Sequence, residues 1–117
     1  MIENKKYFIE EIDAATANKI MKQYHYSHQG FLGAKLNLGI FNKISHELVG
    51  ALQWGRSAAH NIRLDRYVKE SLSINEYYEL NRFCMADSEG KNSESQAISL
   101  GIKWIKKNQP SVRLLVS

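Results

Sequence analysis

Apolar and polar positions along the chain change period several times, and each change marks an element. Lys5 to Ile12 mixes aromatic and β-branched residues and predicts a strand. Asp13 then offers a side-chain oxygen to cap a helix whose apolar positions Ala17, Ile20, Met21 and Tyr24 recur at helical spacing. That helix should stop near Tyr26 and Ser27, because Gly30 and Gly33 follow and the period is lost. Ala34 to Phe41 and Glu47 to Trp54 read as two strands joined by the short polar stretch Asn42 to His46, the length of a hairpin connection. Leu64, Val68 and Leu72 are spaced for a helix between about His60 and Ser71. Glu76 to Met85 reads as a strand ended by the turn formers Ala86 to Gly90. Ser93 and Gln96 fit a capping box, with Glu94 in the first turn, and Ala97, Ile98, Gly101, Trp104 and Ile105 form one apolar stripe behind it. Lys103, Lys106 and Lys107 suit the end of that helix, Asn108-Gln109-Pro110 stops it, and Val112 to Val116 reads as a buried strand. The order β-α-β-β-(α)-β-α-β predicts an α/β fold, a sheet with helices on its faces. Its last strand, helix and strand must cross over to lie parallel.

A length of 117 residues sets the scale at one domain, 1–117, with no internal repeat. The 16 Lys and Arg against 12 Asp and Glu give a net charge of +4, and the pI of about 9.2 permits nucleic-acid binding without diagnosing it. The single cysteine, Cys84, removes any intramolecular disulfide framework and suits a reducing compartment; in its strand it reads as a small buried hydrophobe. Met1 to Lys6 has no apolar run behind its charges, and no stretch reaches the ~18 apolar residues that span a bilayer. The expectation is a soluble cytoplasmic protein.

Three segments, taken in order, carry a resemblance. They are His25-Tyr26-Ser27; Leu38-Gly39-Ile40-Phe41 with Leu48 to Arg56; and Glu79-Leu80-Asn81-Arg82 with Lys91 to Ser95 and the closing Leu115-Val116-Ser117. Together, from about Ile12 to Ser117, the chain resembles the Mom family of bacteriophage DNA adenine-modification proteins, which have a GNAT-like, acyltransferase-type fold. The resemblance implies addition of a carbamoylmethyl-type group to the exocyclic amine of adenine, shielding phage DNA from restriction in the infected bacterial cytoplasm. Family members continue past the strand ending in Val-Ser with an aromatic residue, an Asp and a Gly- and Tyr-rich segment. The active-site Asp and Tyr expected there have no counterpart before Ser117, so the resemblance implies a fragment or a shortened protein.

Candidate chemistry falls on four groups of residues. His25, Tyr26 and Ser27 form a loop in which imidazole can act as a general base and hydroxyls orient an amine; the plainer alternative is an ordinary helix end. Glu79 and Arg82 offer a carboxylate and an anion clamp, or simply a structural ion pair. A regular strand puts Glu79 and Asn81 on one face and Leu80 and Arg82 on the other, whereas a bulge brings Glu79 and Arg82 to one face. Asn92, Ser93 and Ser95 lie at a helix start able to hold the phosphates of an acyl-CoA-like donor. The Arg/Gln-x-x-Gly-x-Gly/Ala loop that GNAT enzymes use there is missing, Glu94 repels an anion, and a plain capping box explains Ser93 equally well. Trp54, Arg56, Arg63 and Arg66, with Tyr67 and Lys69, form a basic segment with aromatics that suits a nucleic-acid backbone, and Trp54 or Tyr26 could receive a flipped base; a solvated face is the alternative.

His25 and His28 lack a third ligand at convincing spacing, so no metal is expected. Two further functions compete with DNA modification. One is an inactive protein that binds nucleic acid or a host defence complex and blocks restriction or CRISPR immunity. The other is a GNAT-type acyltransferase. An uncovered last strand further predicts a homodimer or strand addition by a partner.

Overall fold

The computed structural model describes residues 2–24, 34–55, 77–86, 89, 92–110, 112 and 114–116. The described elements run β1 (Ile2–Glu3), β2 (Tyr7–Glu11), α1 (Ala14–Tyr24), β3 (Leu36–Asn42), β4 (Leu48–Gly55), β5 (Tyr77–Met85), α2 (Ser93–Asn108) and β6 (Leu114–Val116). The strands form one six-stranded mixed sheet in the order β1-β2-β3-β4-β5-β6. Neighbours are antiparallel through β5, and β5 and β6 lie parallel, as the strand-helix-strand order at the end of the chain requires. The fold is of the α/β class, and the helix expected between His60 and Ser71 lies outside the described residues.

Asp13 caps α1 as its position predicts: its Oδ1 accepts from the Thr16 backbone N–H at 2.7 Å, and its own carbonyl accepts from Ala17. That hydrogen bond favours the ionised form and holds the Asp13 carboxyl below its usual range. The Asn42 to His46 hairpin turn is built around Asn42, whose Oδ1 accepts from the backbone of Ile44 and Ser45, both at 2.9 Å. The short strand β1 was not legible in the pattern. Asn4 makes it, turning the chain by accepting from the N–H groups of Lys6 and Tyr7 so that Ile2 pairs with Ile9.

Each face of the sheet carries its own apolar cluster. On one, Tyr7, Ile9, Leu36, Leu38, Ile40, Leu52 and Trp54 pack with Ala97, Leu100 and Ile105 of α2. Gly101 lets that helix approach, since a Cβ there would sit 2.9 Å from Leu52 Cδ1. On the other face, Ile20 and Met21 of α1 pack on Ala51 and Cys84. Leaving these side chains in water instead would forfeit roughly 1.5–3 kcal/mol for each large apolar group, so the two clusters fix which face each helix covers.

The start of α2 corrects the capping-box expectation. Asn92 is the N-cap and makes no side-chain cap hydrogen bond, and Ser93 is the first helical residue. Ser93 is buried and its hydroxyl donates to the Glu89 carbonyl, while Gln96 accepts from Asn4 Nδ2 at 3.3 Å. Ser93 thus turns to a carbonyl four residues upstream, and Gln96 is taken by a partner far away in sequence.

Candidate functional site

Among the described residues, the face of the sheet beneath α1 carries two buried polar side chains, Asn37 and Gln53. β3 and β4 pair Asn37 with Gln53, and β4 and β5 pair Gln53 with Arg82, so three polar residues stand in one row across three strands. One step along, the row is Gly39, Ala51 and Cys84, which α1 covers with Ile20 and Met21. The site is therefore a polar extension of an apolar helix-sheet contact.

A bulge aligns Arg82 with Glu79. Trp54 pairs with Leu80 and the next residue of β4, Gln53, pairs with Arg82, so Asn81 is an extra residue in β5. The simple alternation that separates Glu79 from Arg82 is thereby broken, and both lie on the α1 side while Tyr78, Leu80 and Phe83 pack on the α2 side. Arg82 Nη1 donates to the Asn81 carbonyl at 3.0 Å, tying the guanidinium to the bulge itself. Asn81 Oδ1 is buried and meets no hydrogen-bond donor among the described residues. Glu79 is half-buried and paired in register with Gly55 on one side and Val116 on the other.

Beneath α1 the row is held by amides. Gln53 Nε2 donates to Asn18 Oδ1 at 2.9 Å and to Asn37 Oδ1 at 3.0 Å, linking α1, β3 and β4. Gln53 is 0% exposed and Asn37 9%. Neither residue, nor Asn18, is among the candidates named from the sequence. The signal available was polar residues at alternate positions of otherwise apolar strands, Asn37 between Leu36 and Leu38 and Gln53 between Leu52 and Trp54.

The remaining candidates separate. Trp54 is 1% exposed and packed in the α2-side core, which corrects its expected role as a stacking platform for a base. β4 is buried on both faces, and strand parity places Trp54 on the α2 side and Gln53 on the other. His25, Tyr26 and Ser27, like Arg56, Arg63 and Arg66, lie outside the described residues.

At the start of α2, Asn92 and Ser95 are exposed, and Ser95 Oγ donates to the Asn92 carbonyl at 3.2 Å. Ser93 is not available to a cofactor. The Tyr7 hydroxyl lies 2.9 Å from its Oγ and 2.7 Å from Glu89 Oε1, so the helix start is engaged by the protein's own groups, a carboxylate among them. Burial pushes the Tyr7 pKa up, the Ser93 contact opposes that, and Glu89 adds to the rise. Cys84 is buried as the sequence suggests, with its thiol pKa pushed up by burial to about 11 and its Sγ 3.8 Å from the Ile20 carbonyl, which is the wrong setting for a nucleophile.

Two comparisons bear on this site. The Mom protein family model matches residues 6–117. The methylcarbamoylase mom of Escherichia phage Mu is 37% identical over 114 residues, covering 97% of this chain and 46% of that protein. The chain thus spans a little under half the length of the relative it matches.

Proposed function

The chain belongs to the Mom protein family, and from that premise we propose that it takes part in modifying the exocyclic amine of adenine in phage DNA, as protection against host restriction. The observation that carries the reading is the bulge at Asn81, which sets Glu79 and Arg82 on one face of the sheet next to a buried amide row. Arg82 is the anion clamp, its planar fork suited to a phosphate or to the carboxylate of a donor. Glu79 orients that clamp or takes the proton that the amine loses as its new bond forms, a task His25 can share, with Tyr26 and Ser27 orienting the amine. A GNAT-like architecture suits the parallel β5–β6 pair joined through α2. The acyl-CoA version of that chemistry is the weaker reading, because Glu89 and Tyr7 engage the buried Ser93 where phosphates would dock.

Nucleoside mass spectrometry on DNA from cells expressing the chain tests the proposal. The expected result is a mass-shifted deoxyadenosine that disappears with Arg82→Ala. Unmodified DNA from the unaltered chain overturns it. Retained DNA binding would then support a second reading, a non-enzymatic nucleic-acid binder, which the net charge of +4 favours.

A further inference from the structure

The amide row is an expensive way to join strands. Burying Gln53 and Asn37 carries a desolvation penalty that hydrogen bonds only offset, and apolar residues of similar size would hold β3 to β4 at least as well. The row therefore calls for an explanation other than stability. Both protons of Gln53 Nε2 are committed, one to Asn18 Oδ1 and one to Asn37 Oδ1. An amide so held cannot turn over without breaking both bonds, so the position of its carbonyl oxygen is fixed. Across from it in register, on the same face, stands Arg82.

We infer that Asn18 and Asn37 lock Gln53 in order to orient Arg82, making Gln53 a positioning residue that acts across the β4–β5 pair. The guanidinium is held to its own strand through the Asn81 carbonyl, and the neighbouring strand sets the locked amide opposite Arg82 in register. A planar, pre-oriented fork loses little freedom when an anion arrives. The inference rests on reading Arg82 as the clamp of a DNA-modifying site, and it deepens that reading by naming what aims the clamp.

The test uses the full chain, uniformly 15N-labelled, with the Arg82 side-chain resonances assigned by their loss in Arg82→Lys. In the unaltered chain, hindered rotation should keep the Arg82 guanidinium signals resolved. Gln53→Met, which preserves volume and removes the amide, should average them, and Asn18→Leu, which removes one of the two acceptors, should do so in part. The yield of modified deoxyadenosine should fall about ten- to a hundredfold in Gln53→Met, the scale expected when a reacting geometry slips by about an ångström. Arg82 signals that match the unaltered chain in Gln53→Met overturn the inference, whatever the yield. An unaltered chain that modifies no DNA overturns the functional reading instead, and the resonances still decide the positioning role. If Gln53→Met does not fold, Asn18→Leu at the half-buried helix position carries the same comparison, with unchanged signals again overturning it.

Discussion

A thiol under a helix, at residue 84, shows how burial alone sets chemistry. Cys84 is 4% exposed, and its pKa rises from 9.0 to about 11 because the thiolate would lose water. Below pH 9 both the folded and the unfolded chain keep the proton and the full stability is present. Between pH 9 and about 11 the unfolded chain gives it up while the folded chain holds it, so stability falls as pH rises. The loss attributable to this group is roughly 2 kcal/mol. Urea denaturation at pH 8 and pH 10.5 should show it, with a shallower pH dependence in Cys84→Ala; equal slopes in the two chains would refute it. Asp13 acts in the opposite direction, since its lowered pKa supplies stability above the unfolded value that is lost as pH falls.

Pairs of elements are held by close approaches that few substitutions satisfy. A Cβ at Gly50 would lie 2.5 Å from the Cys84 carbonyl oxygen and 3.0 Å from Met85 Cγ, inside the β4–β5 ladder. Backbone cannot step aside as a flexible side chain does, so Gly50→Ala should destabilise by about 1–3 kcal/mol; an unchanged urea midpoint would contradict the packing. At this scale the sequence was informative wherever one local signal decided the outcome. Asp13 caps its helix, Ala97, Gly101 and Ile105 of the expected stripe meet the sheet with Ile98 and Trp104 partly buried at its margin, and the Asn42 turn closes a hairpin. It was uninformative where a distant partner competed. Ser93 left its capping box for the Glu89 carbonyl four residues upstream and for Tyr7, which only the folded sheet brings near. The bulge that brings Arg82 to the face of Glu79 was one of two arrangements the strand pattern left open, and only the register decides between them; Trp54, expected to stack on a base, lies in a strand buried on both faces.

For the whole molecule, charge and shape act together. No helix among the described residues is long and apolar enough to cross a membrane, and the net charge of +4 has the sign that the proposed action on DNA requires. If three or four cations neutralise phosphates, affinity for duplex DNA should fall by roughly one and a half to two orders of magnitude between about 50 and 200 mM salt. Fluorescence anisotropy would measure this, and a salt-independent affinity would exclude backbone contact as the main attraction. The sheet joins residues far apart in sequence into one site, with Asn18, Asn37, Gln53 and Arg82 drawn from four elements. In genetic terms, such a site is intolerant of insertions and deletions, since losing a codon from a regular strand turns every later side chain to the wrong face. Asn81 is the exception within β5. Deleting its codon closes the bulge, leaves Leu80 opposite Trp54 and Arg82 opposite Gln53, and keeps Glu79 on the side of the clamp. The shared face of Glu79 and Arg82 therefore survives loss of that codon, whereas the carbonyl that receives Arg82 Nη1 does not.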